Sequence, residues 1–229
     1  MVEKMGTLYV VGLSIGNVKD LTQRSKEVLE KVKVFACEDT REFRRLIKEL
    51  SLSCDPELIS FFERTERIKT PQLIQRLKQG EDIGLVVSRG MPLISDPGYV
   101  LVREALRENI PLQVIPGVNA VTTALASSGL PCDKFIFLGF PPRKPGKQLH
   151  FFESYASLEL TLIFYESPRR LLKTLQNLKP LFGDWNIAIC RELTKQHEEV
   201  IRGNYTQVLA KLENKEVLGE LTILLSQKI

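Results

Sequence analysis

The sequence predicts an α/β fold in two domains with mostly parallel or mixed sheets, on three observations. Short β-rich apolar runs alternate with amphipathic helical patterns, the mark of βαβ units on a largely parallel sheet. The alternation completes one series, is punctuated at Pro116-Gly117, and then begins again. With 229 residues, 43% of them hydrophobic, the chain can bury one large core or two small ones.

A strand is expected over residues 8–12, a helix over about 21–31 with Asp20 as its N-cap, a strand over 34–37 and a charged helix over 40–50. Helix 71–79, strand 83–87, helix 97–108 and strand 112–115 continue the pattern. Five strands are expected in about 115 residues, four of them placed here, which makes a complete small α/β domain. The turn at Ile115-Pro116-Gly117 closes that unit, so the expected domains are 1–116 and 117–229. The small-residue run 118–128 reads as a close-packed helix leading into strand 135–138. Strand 160–165, helix 168–178, strand 187–190, an extended stretch 198–202, helix 206–213 and strand 221–225 follow. Residues 199–203 alternate with period two, so that stretch can pair as an antiparallel edge.

The 32 Lys and Arg against 28 Asp and Glu give a net charge of +4, too weak for a protein held to nucleic acid by bulk electrostatics. Any such contact has to be local. Cys37, Cys54, Cys132 and Cys190 form no CxxC pair, and two of them lie in apolar runs, so reduced structural thiols are expected. With His150 and His197 as the only histidines, a His-rich metal cluster is excluded and no metal site is expected. The N-terminal apolar run breaks at Gly12 and reads as a strand rather than a signal peptide. No apolar stretch approaches the ~20 residues of a bilayer span. The expectation is a soluble, cytoplasmic protein.

The residues that carry chemistry cluster where strands end. Gly12-Leu13-Ser14-Ile15-Gly16-Asn17 leads from the first strand toward a helix, where backbone amides can meet a polar ligand at the carboxyl end of an α/β sheet. A simple tight turn is the alternative. Ala36-Cys37-Glu38-Asp39-Thr40-Arg41 puts two carboxylates at the end of the second strand, with Asp39 suited to cap a helix. Eleven residues rich in turn formers, Ser88 to Gly98, separate a buried strand from the next helix, more than a connection needs. Phe164-Tyr165-Glu166-Ser167-Pro168-Arg169-Arg170 repeats the strand-to-helix junction with polar groups. Arg191 to Glu198 gathers cations and carboxylates immediately after a buried strand; a solvated face and a functional site both fit such a run.

Taken together, GLSIGN, ACEDTR, SRGMPLISDPG, IPGVNA, FLGFPPRK, FYESPRR, RELTKQHEE and GELTILL resemble, in order and spacing, the tetrapyrrole-methylase superfamily, closest to its branch of ribosomal RNA small-subunit methyltransferases I. The likeness spans essentially the whole chain. It implies two α/β domains, S-adenosylmethionine (SAM) in the cleft between them, a homodimer, and methylation of a cytidine 2′-hydroxyl in small-subunit (16S) ribosomal RNA. Two departures stand out. The first loop lacks the PxPIGN proline, and the long loop is one residue shorter than SDAGTPGISDPG, with Arg89 for the Asp-Ala pair and Met91 for Thr.

By the same resemblance, SAM contacts fall on Leu13, Met91, Ile94, Asn119, Ala120, Tyr165, Leu193 and Glu220, mostly through main-chain groups. A ribose hydroxyl is a poor nucleophile until its proton leaves, so a base or a stabilising cation is expected. Lys195, His197, Glu198 and Glu38 are the candidates by chemistry, and the sequence does not rank them. RNA would meet Arg143, Lys144 and Lys147 in the Pro/Gly-rich PPRKPGK loop, with Arg41, Arg44, Arg45, Arg169 and Arg170 as neighbours. A solvated turn is the alternative reading of that loop. Two other functions stay open: a methylase of a tetrapyrrole or other small molecule on the same fold, and a catalytically silent rRNA-binding assembly factor.

Overall fold

In the computed structural model, which describes residues 4–213, 215 and 217–228, the first sheet holds five parallel strands. They are β1 (Leu8–Val11), β2 (Val34–Cys37), β3 (Glu57–Ser60), β4 (Ile83–Val86) and β5 (Leu112–Ile115), in the order β3-β2-β4-β1-β5. Every residue of β1, β2 and β4 is buried, as continuous apolar runs in a parallel sheet covered on both faces require. Successive side chains divide between two cores. Leu8, Val10, Ala36, Ile83 and Leu85 enter one, while Tyr9, Val11, Phe35, Cys37 and Val86 enter the other. Each fully buried aliphatic side chain is worth about 1.5–3 kcal/mol.

Four helices cover this sheet: α1 (Gln23–Lys31), α2 (Thr40–Glu49), α3 (Glu63–Lys78) and α4 (Tyr99–Arg107). α1 and α2 pack on one face through Val28, Leu29, Phe43 and Ile47. On the other, α3 and α4 supply Leu73, Leu77, Leu101 and Ala105. Thr22, not Asp20, caps α1, accepting from the Ser25 N–H at 3.1 Å. Asp20 instead ends a 3-10 turn, Val18–Asp20, capped by Asn17. Asp39 caps α2 as expected, accepting from the Arg41 and Glu42 amides.

The fifth strand is β3, which the sequence left unplaced. It is a half-exposed edge whose Glu57 pairs with Arg76 at 2.6 Å, so no apolar run marks it. α3 begins eight residues before the expected 71–79 and contains Pro71. Its buried stripe is Glu66, Thr70, Leu73, Ile74 and Leu77, polar at its first two positions, which hides the helical period.

The chain divides into two compact units, Met1–Asn119 and Ala120–Ile229. The second unit begins with α5 (Ala120–Ser128), continues with β6 (Phe135–Phe137), α6 (Pro145–Glu153), β7 (Thr161–Glu166), α7 (Pro168–Phe182) and β8 (Asn186–Arg191), and ends with β9 (Glu199–Asn204), α8 (Tyr205–Leu212) and β10 (Leu221–Ser226). Its sheet order is β6-β7-β10-β8-β9. This sheet is mixed: only β6–β7 is parallel, and β9 is the antiparallel edge the alternation indicated. α6, α7 and α8 share a core with one sheet face around Phe152, Phe164, Leu175, Phe182 and Tyr205. α5 lies on the opposite face, where the Cys190 thiol reaches Ser127 Oγ at 3.6 Å. Burial pushes the Cys37 and Cys190 thiols up, and all four cysteines are free. Among the described residues, no helix is long and apolar enough to cross a membrane.

Candidate active site

The first sheet has a topological switch point between β1 and β4. From β1 the chain runs through α1 on one face toward β2; from β4 it runs through α4 on the other face toward β5. Adjacent strands whose connections part in opposite directions leave a crevice at their carboxyl ends, the usual ligand position in open α/β sheets. The loops after β1, β4 and β5 meet there.

Their meeting depends on glycine. A Cβ on Gly12 would stand 2.6 Å from both Gly117 Cα and Gly117 N, and 2.5 Å from Met91 Sδ. Two main-chain bonds tie the β1 and β4 loops, Leu13 N to Gly90 O at 2.9 Å and Gly90 N to Ser14 O at 3.2 Å. Ser25 Oγ donates to Gly12 O at 2.9 Å and fixes the start of α1 to the same point. Leu13 keeps its side chain in the core, Met91 is half-buried, and Ile94 is exposed on the long loop.

Carboxylates hold that long loop. Glu38 Oε2 accepts from the Ser88 N–H at 2.9 Å, so this candidate base already orients the loop's first residue. Glu66, buried in α3, accepts from the Gly98 and Val100 amides at 2.9 and 2.8 Å and caps the start of α4 across the fold. Between these anchors Leu93 and Ser95 take positive φ of 73° and 67°. Beside the crevice a pocket of about 200 Å³ is lined by Ser14, Glu42, Arg45, Glu49, Ser88 and Arg89, among others, and presents both signs of charge with two hydroxyls.

The second unit gathers its candidates at one end of its sheet. Leu221 sits opposite Glu166 on one side and Arg191 on the other, so Tyr165, Glu220 and the loop after β8 come together. Phe137 packs edge-on and Phe140 tilted against Tyr165, with centroids 4.9 and 5.3 Å away. Lys195 Nζ donates to Glu192 Oε1 at 2.9 Å and Glu220 Oε2 at 2.7 Å. Glu192 Oε1 also accepts from the Glu220 N–H at 2.8 Å. Leu193 is buried, Glu198 accepts from the Thr194 N–H, and His197 is exposed. Lys195 and Glu220 are therefore in direct contact, joined by Glu192, a residue the sequence did not single out. Asn119 closes the first unit and Ala120 opens α5.

The basic segment differs from the loop expected. Lys144 is the N-cap residue of α6, and Pro145 and Lys147 are already helical. Arg143, Lys144 and Lys147 are exposed and make no ion pair among the described residues. Arg41, by contrast, folds back on Asp39 at 3.0 Å. That guanidinium, with the Arg41 and Glu42 amides, holds the Asp39 carboxyl down at about 2.

The family model of tetrapyrrole (corrin/porphyrin) methylases matches residues 7–209. Ribosomal RNA small subunit methyltransferase I of Thermotoga maritima is 40% identical over 224 residues, 98% of this chain and 100% of its own length. Its namesake from a Hydrogenobaculum species is 41% identical over 96% of each chain. Among solved structures, the uroporphyrin-III C-methyl transferase of Thermus thermophilus, complexed with S-adenyl homocysteine, aligns with a TM-score of 0.67 at 19% identity over 96% of this chain and 97% of its own. At that identity the likeness is one of fold.

Proposed function

Because the chain belongs to the tetrapyrrole (corrin/porphyrin) methylase family, and within it to the ribosomal RNA small subunit methyltransferase I group, we propose that it transfers a methyl group from SAM to the ribose 2′-hydroxyl of a cytidine in small-subunit (16S) ribosomal RNA. The observation that carries this reading is that the likeness runs over 98% of the chain, taking in both the glycine-joined loops of the first unit and the basic segment of the second.

The residues present fit SAM. Gly12 and Gly117 leave main chain, rather than side chains, at the switch point, and exposed Ile94 offers an apolar surface to an adenine. Leu13, Met91, Ile94 and Asn119 in the first unit, with Ala120, Tyr165, Leu193 and Glu220 in the second, are the proposed cofactor residues. Bound SAM supplies an electrophilic methyl group on a sulfonium. The protein's work is to hold a ribose hydroxyl in line, which alone is worth several kcal/mol. Of the four candidate groups, Glu38 and Glu198 already accept main-chain N–H bonds. Lys195, positioned by two carboxylates, is the group we assign to the developing alkoxide. Arg89 and Arg45 share a pocket with Glu42 and Glu49, so the formal charges there cancel and no net positive charge faces a cationic cofactor. The RNA contacts are Arg143, Lys144 and Lys147, with Arg41 a secondary one. An rRNA substrate goes with a cytoplasmic enzyme, and the family likeness with a symmetric homodimer. Light scattering at micromolar concentration is expected to show twice the 26.1 kDa chain mass; a lone monomer peak would refute the dimer.

The test of the activity is incubation of purified protein and labelled SAM with small subunits from cells lacking it, followed by digestion to nucleosides. Label is expected in 2′-O-methylcytidine. Label in a base, or only in a porphyrin offered alongside, would replace the substrate assignment; failure to bind SAM at millimolar concentration would leave an RNA-binding protein without catalysis.

A further inference from the structure

One face of α7 carries Arg170, Thr174 and Asn177, spaced i, i+4 and i+7, and these polar residues engage the segment that bears the exposed cations. Arg170 Nη2 donates to the carbonyls of Pro141 and Pro142, at 3.2 and 3.3 Å. Asn177 Nδ2 donates to the Pro145 carbonyl at 3.0 Å and to Gln148 Oε1 at 2.9 Å, and Gln148 Nε2 donates to Thr174 Oγ1 at 3.2 Å. The stripe is rooted in Glu166, whose side chain is fully buried. Its carboxylate accepts from the Ser167 N–H at 2.7 Å and from the Thr174 hydroxyl at 2.8 Å, and pairs with Arg170 at 3.1 Å.

The chemistry of the segment explains why it needs such a grip. Prolines 141, 142 and 145 have no N–H and cannot tie the segment down by donating, so α7 holds it by their carbonyls. Both ends are fixed, at Pro141-Pro142 and at Pro145, while Arg143 and Lys144 between them point into solvent without an ion pair among the described residues. Lys147 follows in the first turn of α6. A flexible loop of three cations loses conformational entropy when it binds phosphates; a loop already held avoids most of that loss.

We propose that Arg170 and Asn177, anchored through Glu166, are positioning residues that hold the 141–148 segment as a preformed phosphate-binding edge for RNA. The proposal rests on the RNA reading above and adds to it which residues make the edge rigid. Neither positioning residue need touch RNA.

Because removing buried Glu166 would strand Arg170 and threaten folding, the test uses Arg170→Lys, which keeps the charge but not the planar fork, and Asn177→Ala. The probe is a small-subunit rRNA fragment, titrated across salt, with SAM affinity and thermal midpoint measured on the same proteins. Each variant is expected to weaken RNA binding by about three- to tenfold while SAM affinity stays unchanged. The triple variant Arg143→Ala, Lys144→Ala, Lys147→Ala is expected to weaken RNA binding and flatten its salt dependence. Adding Arg170→Lys or Asn177→Ala to the triple variant should then weaken RNA binding no further, since the groups they position are gone. Effects that add in the triple background, or RNA and SAM affinity falling together with the thermal midpoint, would reduce the stripe to ordinary packing and overturn the proposal. A triple variant that binds RNA as well as the parent would also overturn it. If that variant still methylates rRNA, the proposed activity stands and only the edge is lost.

Discussion

Replacing Gly12 by alanine is expected to lower SAM affinity by more than about tenfold and to cost about 1–3 kcal/mol of stability, the range for forcing an extra carbon into a packed interior. The new Cβ would lie 2.6 Å from Gly117 Cα and Gly117 N, backbone atoms that cannot turn aside as a side-chain tip can. Neither strand end can retreat freely. Gly12 N is bonded to Ile115 O at 3.0 Å, Gly12 O accepts from Ser25 Oγ at 2.9 Å, and Leu13 N is bonded to Gly90 O at 2.9 Å. The loops after β1, β4 and β5 must therefore separate together, which opens the crevice where the cofactor is proposed to bind. Gly117→Ala meets the same contact from the other side, its Cβ 2.7 Å from Gly12 Cα, so the double variant should be less than additive. Gly146→Ala, whose Cβ would meet nothing within 4 Å, is the control and should leave SAM binding unchanged. Calorimetric titration with SAM decides the matter: a fall in melting temperature with affinity within about twofold of the parent would make the glycine pair a packing contact and remove it from the cofactor site.

The elements that were legible in the sequence are those whose burial is uniform. β1, β2 and β4 are buried along their whole length, and their apolar runs announce them. β3 has an exposed Glu57 and one covered flank, so nothing in ELIS separates it from a loop. The start of α3 was hidden because its buried positions are Glu66 and Thr70. Glu66 is explained only by the Gly98 and Val100 amides 32 and 34 residues away. The 141–147 segment read as a free loop for a similar reason. Its constraints come from Arg170 and Asn177, and no local pattern displays carbonyls gripped from another helix.

At the candidate site, the charge run after β8 and the glycine loop after β1 were visible as composition at strand ends. The backbone that gives them shape was not. Glu192 and Thr194 adopt φ of 51° and 65°, a region that a sequence advertises only when glycine or asparagine occupies it. Asp20 illustrates the opposite error. It is a good capping residue two residues too early, because the Val18–Asp20 3-10 turn comes before the helix and Thr22 takes the cap.

Lys195→Ala is expected to slow methyl transfer by about 10²–10⁴-fold, the usual contribution of a positioned proton-transfer or charge-stabilising group, while folding stability falls by only about 1–3 kcal/mol. The two parts of that expectation have separate causes. Glu220 is 67% exposed, so its pair with Lys195 is worth only about 0–1 kcal/mol, whereas Lys195 and Glu192 are mostly covered at 18% and 20% exposure, and losing the ammonium there costs about 1–3 kcal/mol. The geometry around the lysine is nevertheless over-determined. Glu192 N donates to Glu220 O at 3.0 Å, Glu220 N donates back to Glu192 Oε1 at 2.8 Å, and Glu198 accepts from Thr194 N. These bonds hold Glu192 and Thr194 in left-handed backbone that costs about 1–3 kcal/mol per residue. Such strain persists where surrounding contacts fix a group in place, and here the group fixed is the Lys195 ammonium. Lys195→Arg keeps a cation between the two carboxylates and should recover part of the rate, whereas His197→Ala, altering an exposed ring, should stay within about threefold of the parent. The measurement is a single turnover on unmethylated small subunits at saturating SAM, with SAM affinity titrated separately. A Lys195→Ala rate within about threefold of the parent would remove Lys195 from the chemistry, and a large loss in His197→Ala would transfer the role to the histidine.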